Sequence, residues 1–386
     1  MKLSKVSQKV HPSLTRKLFN MAQGYDDVID LTLGDPDLNT PETIKEAACK
    51  SIINNLTHYS ANAGLQSVRK TVAKRVEQLW NVKSQEENIM LTVGGMEALY
   101  LSLLCVVDAG DEVIIFAPYY VNYVQMVSMC GGTPVIIDAY GDNGFEITKE
   151  KILEKVTSKT VAVIVNTPNN PTGDILSKDF LKQVYEVACE KDLYVISDEV
   201  YKTLVYNSEN HESILQFEDA YKRTILIDSM SKEFSMTGWR IGYVRAEEFL
   251  IKEMTKLQEN IAACVALPSQ YAMLYAYENN IDSSYIAEEF EKRRDFLYER
   301  ISSIQKFRCV KPKGTFYMFV NIAETGLKSE EFAEQLLKEK HIAVVPGKAY
   351  GDNYDCYIRI AFTKPIEILS EATEKIKEFA DGLKRN

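Results

Sequence analysis

The run SMSKEFSMTGWRIGY, residues 229–243, sets Lys232 among small hydroxyl side chains and places Arg240 eight positions later. A lysine amine condenses with aldehydes to form a Schiff base. Hydroxyls and a guanidinium fork close by can hold a phosphate. One short segment thus offers both groups needed to hold pyridoxal phosphate, an aldehyde that carries its own phosphate. An SxSK alone also suits an ordinary solvated loop, so the rest of the chain must decide.

Three further motifs bear on that decision. Gly94-Gly95-Met96-Glu97-Ala98 follows an apolar strand pattern and opens a helical one. Glycines there let backbone N–H groups and the helix dipole face an anion, although simple chain reversal asks for the same residues. In NTPNNPTG, residues 166–173, two X-Pro bonds, two internal asparagines and a closing glycine specify a rigid loop. A side-chain amide held there suits a ligand oxygen, and a tight turn is the plain alternative. SDEVY, residues 197–201, closes another apolar run. Its Asp198 is either a solvated strand-end acid or a carboxylate that keeps a cofactor's pyridine nitrogen protonated. Tyr201, three residues on, comes within reach of the ring's phenolic oxygen.

The elements that must position these groups follow from the apolar periodicity. Leu65, Val68, Val72, Val76 and Leu79 predict an amphipathic helix. Strands are predicted at 89–93, 113–116, 135–137, 161–165, 193–196 and 224–227, with helices over 97–107, 121–129 and 178–190 between them. Apolar β-branched strands separated by helices imply a mostly parallel sheet covered on both faces. In such sheets ligands bind at the carboxyl ends of the strands, where the four motifs fall. Beyond residue 280 the pattern changes. A long helix carries Ile286, Phe290, Leu297, Ile301 and Ile304 on one face. Strands at 315–320 and 357–362 follow, and Pro365 opens a terminal helix. These form a smaller α+β unit, with no flexible linker before it.

Together and in this order, NPTG, SDEVY and SxSKxFxMTGWRxGY resemble the class I/II aminotransferases of the fold-type I pyridoxal-phosphate enzymes, over essentially the whole chain. The resemblance implies a large cofactor domain at 46–280, with a mostly parallel seven-stranded sheet flanked by helices. A small α+β domain would be built from both ends, 1–45 and 281–386. It also implies a homodimer with shared active sites. Carried over residue by residue, Lys232 resembles the lysine that bonds the cofactor and then moves a proton. Asp198 matches the partner of the pyridine nitrogen, and Tyr201 and Asn170 the groups that hydrogen-bond the ring oxygen. Ser229, Arg240, Gly95 and Met96 fall where the phosphate is held. Tyr59 resembles the tyrosine that reaches the neighbouring subunit's phosphate, and Tyr120 the aromatic that stacks on the ring. Arg359, in YIRIAF, matches the arginine that grips the substrate α-carboxylate, with Asn170, Tyr120 and Gly34 beside it. Gly34, in LTLGDPD, is equally readable as a turn glycine. Met96 stands where some relatives carry a hydroxyl. No distal cation for a dicarboxylate substrate is identifiable.

The implied activity is transamination between an amino acid and a 2-oxo acid in two half-reactions. Glutamate/2-oxoglutarate is the expected couple on one side, and the lysine motif favours the bacterial aspartate/aromatic-type branch. A C–S β-lyase of the same fold would share Lys232, Asp198 and Arg359. Release of ammonia and pyruvate without an acceptor would reveal it. A non-catalytic sensor of this fold would need an attached DNA-binding module, which is not expected here. A nicotinamide dehydrogenase is disfavoured because no GxGxxG follows a strand.

Composition narrows the partners. With 55 acidic against 45 basic residues and no basic stripe, nucleic acid is not expected. The seven cysteines lie far apart without a CxxC, and the four histidines are scattered. Neither a zinc site nor a disulfide framework is suggested, and the cysteines are expected to be small buried residues in a reducing compartment. No apolar run approaches the roughly 20 residues that span a bilayer, and the amino terminus lacks the apolar core of a signal peptide. A cytoplasmic protein without membrane contact is expected.

Overall fold

Short β-branched runs bounded by turns build the centre of the molecule. In the computed structural model, which describes residues 2–10, 14–22, 24–25, 27–141, 143–207 and 209–383, they form one seven-stranded sheet. Its order is Ile89–Thr92, Gly242–Arg245, Thr224–Ser229, Tyr194–Asp198, Thr160–Asn166, Glu112–Ala117 and Thr133–Asp138. The last five pair in parallel, while Gly242–Arg245 runs antiparallel to both neighbours. That strand was not anticipated. Its four residues follow Arg240 without a turn cluster of their own, so they read as part of the lysine segment.

Both faces of the sheet are covered. Val68, Val72 and Val76 of the helix Gln66–Trp80 pack with Leu226 and Tyr243, while Leu99 and Leu103 of Gly94–Val106 pack with Ile196 and Ile227. Helix Lys178–Glu190 shows the local logic. Ser177 caps it by accepting from the Phe180 N–H, and Phe180, Leu181, Val184 and Val187 form its buried stripe.

A second, four-stranded antiparallel sheet has the order Arg308–Cys309, Tyr317–Asn321, Tyr357–Ala361, Val345–Pro346. The long helix Ser284–Ser302 and the terminal helix Ile366–Gly382 cover it, with Ile286, Phe290, Leu369 and Ile376 in one shared core. The amino-terminal part joins here: Ile29–Asp30 pairs in parallel with Ile342–Ala343, and Leu18 and Leu31 enter the same core.

The cysteine expectation needs correction. All seven are free thiols, but Cys49 and Cys189 are exposed and the other five only half-buried. On their helices the neighbouring alanines Ala48 and Ala188 occupy the buried face instead. Among the described residues no helix is long and apolar enough to cross a membrane, and no cluster of His, Cys, Asp or Glu is arranged to hold a metal.

Candidate active site

The central strand Thr224–Ser229 ends in a hydroxyl residue that starts the next element. Ser229 Oγ accepts from the Ser231 N–H and caps the short helix Met230–Glu233, which fixes where Lys232 points. The Lys232 Nζ donates to the Gly34 carbonyl at 2.7 Å. Burial lowers its pKa to about 8, with Asp35 opposing and Arg240 and Arg359 reinforcing the shift. This amine loses its proton far more readily than a surface lysine. Gly34 is required by close approach rather than by a turn, because a Cβ there would sit 1.6 Å from the Tyr317 hydroxyl.

Arg359 enters from the other sheet, on Tyr357–Ala361 opposite Phe319. It is 5% exposed. Its Nη1 donates to Asn170 Oδ1 at 3.0 Å, Nη2 donates to the Thr32 carbonyl, and its carbon centre lies 4.2 Å from the Tyr317 ring. Nε is buried with no acceptor. No carboxylate pairs with this cation among the described residues, so the guanidinium is arranged for an anion from outside the chain. Asn170 is set by its own loop, where its N–H donates to Asn166 Oδ1 at 2.9 Å.

Asp198 closes Tyr194–Asp198. Burial pushes its carboxyl up to about 6, against hydrogen bonds donated by Tyr123 and the Val200 N–H. The Tyr123 hydroxyl lies 2.6 Å from Asp198 Oδ2. Tyr201 is buried, its hydroxyl 3.3 Å from that of Tyr317 and its ring centre 5.9 Å from Lys232 Nζ.

The anion corner forms where Gly94–Val106 begins. First-turn N–H groups of a helix have no intrahelical acceptor and face outward with the positive dipole end. Arg240, in a left-handed conformation (φ 52°), reaches over this turn and donates to the carbonyls of Thr237 and Val93. Gly94 has φ +74°, which strains any other residue, and a Cβ there would come within 2.6 Å of Arg240 Nη2 and displace the guanidinium. The Met96 Sδ lies 3.5 Å from both the Tyr120 hydroxyl and Asn122 Nδ2.

One cavity of about 350 Å³ brings together Gly34, Gly95, Met96, Tyr120, Asn170, Asp198, Tyr201, Ser229, Lys232, Arg240 and Arg359. Tyr59 is not among its walls and is 88% exposed. Lys232, Arg240 and Arg359 are the only cations lining the cavity among the described residues. Sequence reasoning missed Tyr123, Tyr317, Asn122 and Thr32. Tyr123 had a faint signal, three residues after Tyr120 across the turn that opens the helix Asn122–Met129. A larger cleft of about 850 Å³, between Trp80, Phe217 and Arg245, contains none of these groups.

These residues fit pyridoxal phosphate. A lysine poised to release its proton shares the cavity with a buried carboxylate that has no cation paired to it among the described residues. A glycine cradle and an arginine face outward at a helix start. The cavity has the size of a small cofactor with a small substrate.

Comparison with known proteins agrees. The family profile described as aminotransferase class I and II matches residues 26–376. The aromatic-amino-acid aminotransferase 2 of Thermococcus litoralis is 38% identical over 382 residues, covering 98% of both chains. The aspartate aminotransferase of Pyrococcus abyssi is 39% identical over 373 residues, 96% of each. Among solved structures, the aspartate aminotransferase of Thermotoga maritima superposes with a TM-score of 0.93 at 33% identity, covering 98% of this chain and 100% of that one. The aromatic aminotransferase of Pyrococcus horikoshii gives 0.88 at 36%, over 94% and 98%. The chain belongs to the class I and II aminotransferases, enzymes dependent on pyridoxal phosphate.

Proposed function

We propose that this aminotransferase exchanges the amino group of an α-amino acid with a 2-oxo acid in a ping-pong cycle, with glutamate/2-oxoglutarate as one couple. The observation that carries the reading is the pairing in one cavity of a readily deprotonated Lys232 with an unpaired, buried Arg359. When bound, pyridoxal phosphate supplies an aldehyde that condenses with amines and a ring that draws electrons from the substrate Cα.

The chain's own residues do the rest. Arg359 takes the substrate α-carboxylate in its fork, with Asn170 and the Tyr317 ring holding the guanidinium still. That grip directs the Cα–H bond toward Lys232, whose free amine would take the proton from Cα and deliver it to the former aldehyde carbon of the cofactor, on the far side of the amino nitrogen. Asp198 keeps a proton on the ring nitrogen, and Tyr201 and Asn170 hydrogen-bond the ring oxygen. Tyr120 covers a ring face. Arg240, Ser229 and the N–H groups of Gly95 and Met96 hold the phosphate. The Met96 side chain is turned to Tyr120 and Asn122, which leaves only its backbone for that task.

The division proposed is a large domain over 46–280 and a small one over 1–45 and 281–386, although helix Glu42–Ile53 runs across the first boundary. We also assign a second copy of the chain as partner. Tyr59 lies outside its own cavity, on a segment with exposed Ile52, Ile53 and Leu56. A homodimer would cover those side chains and bring Tyr59 to the neighbouring phosphate.

The relatives' names point to aspartate and the aromatic amino acids as donors. The test is a single half-reaction, in which cofactor-loaded protein is mixed with one amino acid at a time, without acceptor, while its visible absorption is followed. Loss of the absorption with a few donors, and formation of their oxo acids, supports transamination and ranks the side chains. Unchanged absorption with ammonia released from sulfur amino acids would assign the protein to the lyases instead.

A further inference from the structure

Tyr123 belongs to no motif, yet it makes the shortest hydrogen bond to the carboxylate of Asp198. It lies in the first turn of helix Asn122–Met129, is 2% exposed, and stands edge-on to Tyr120 with ring centres 5.5 Å apart. Its hydroxyl donates to Asp198 Oδ2 at 2.6 Å. Burial raises the phenol's pKa well above its ordinary value, so it remains a donor throughout the working range. Among the described residues Oδ1 receives only the Val200 N–H, at 3.4 Å. One oxygen is therefore engaged and the other is free for a partner. The other charged groups acting on Asp198 are Glu199, next in the chain, and Asp228 on the adjacent strand, both acids that disfavour its ionised form. Against that background a neutral donor is what keeps a carboxylate here in one orientation.

We infer that Tyr123 is the positioning residue of the cofactor site: it fixes Asp198 by one oxygen, leaving the other to meet the protonated ring nitrogen. The inference rests on the proposed role of Asp198.

The experiment measures pyridoxal phosphate affinity of the apoprotein for wild type, Tyr123→Phe, Asp198→Ala and the double variant, from pH 5 to 8. An analogue with carbon in place of the ring nitrogen is measured in parallel. Losing a hydrogen bond to a charged group is expected to weaken cofactor binding by about 10-fold in Tyr123→Phe. The fall in affinity on acidification should move to higher pH, because the unassisted carboxyl protonates earlier. Affinity for the carbon analogue should change little, so the preference for the natural ring narrows. In the Asp198→Ala background the Tyr123→Phe change should have almost no effect.

Tyr123→Phe with wild-type affinity, pH profile and ring preference overturns the inference, as does a loss of equal size with and without Asp198. If Asp198→Ala itself leaves the ring preference unchanged, the role given to Asp198 fails first. The ratio of the two affinities does not depend on the folded fraction, so a destabilised variant still gives an answer.

Discussion

Two lysines 30 positions apart in sequence, Lys202 buried and Lys232 half-buried at the cavity wall, carry opposite tendencies. Lys202 follows Tyr201 directly, and Glu233 follows Lys232. The Lys202 Nζ lies 2.6 Å from Asp228 Oδ2 and 3.2 Å from Glu233 Oε2. Burial alone would lower its pKa, but the two carboxylates outweigh that and raise it. Glu233 also pairs with Arg75 and accepts from the Tyr277 hydroxyl at 3.2 Å, and with two cations beside it its carboxyl stays ionised despite burial. Among the described residues Asp228 is ion-paired with Lys202 alone, and burial, with Glu233 adding to it, pushes its carboxyl up, while Tyr243 donates to it. Lys232 has a carbonyl for a partner and no carboxylate bridging it among the described residues, and burial wins.

The difference separates two uses of buried charge. Behind the site, charge is matched by charge and serves to hold Met230–Glu233 and its neighbours in place. In the cavity, Lys232, Asp198 and Arg359 are each left short of a counter-ion. That deficit is what a cofactor and substrate would fill.

The sharpest way to break the comparison is to remove each side in turn. Lys232→Ala should lower turnover by on the order of 10²–10⁴-fold or more, the range for a positioned acid–base group, while cofactor binding persists. Steady-state rates against retained cofactor would show it, and full activity would contradict it. Glu233→Gln should do the reverse. Leaving Arg75 and Lys202 short of an anion is expected to cost about 3–5 kcal/mol of stability by denaturant unfolding, with turnover per folded molecule much less affected.

Arg359→Lys keeps a charge but loses the fork. We expect kcat/KM to fall by about 2 kcal/mol or somewhat more, mostly through KM. A change confined to kcat would move Arg359 away from ground-state carboxylate binding. The smallest effect is a pH dependence. The Lys232 pKa is depressed, so free amine is present above about pH 8 and lost as pH falls through that value. Reaction of the apoprotein with pyridoxal phosphate should slow about tenfold per pH unit below this midpoint and level off above it. A midpoint near that of an ordinary lysine would show that burial does not govern the amine.

Much of this site was legible because its chemistry is carried by turns and strand ends, where unusual residues stand out. The Asn166–Gly173 loop, Asp198 and Lys232 interrupt apolar runs, and Arg359 sits inside one. What stayed hidden depends on three-dimensional approach. Among 22 tyrosines, nothing in sequence marks Tyr123 as the donor to Asp198, or Tyr317 as the side chain that demands Gly34. The seventh strand was absorbed into the lysine motif. Lys202, Asp228 and Glu233 each look like isolated charges, since their pairing is created by the adjacency of strands and the turn after them. Tyr59 is legible only by resemblance, because its proposed target lies on another chain.

The most direct measurement is to reduce the cofactor-loaded protein with borohydride, which makes a lysine–aldehyde bond permanent, and to map the tagged peptide by mass. A single tag on Lys232, with Lys202 unmodified, is the predicted result. A tag on Lys202, or on neither lysine, would contradict the assignment of the cavity and the contrast between the two amines.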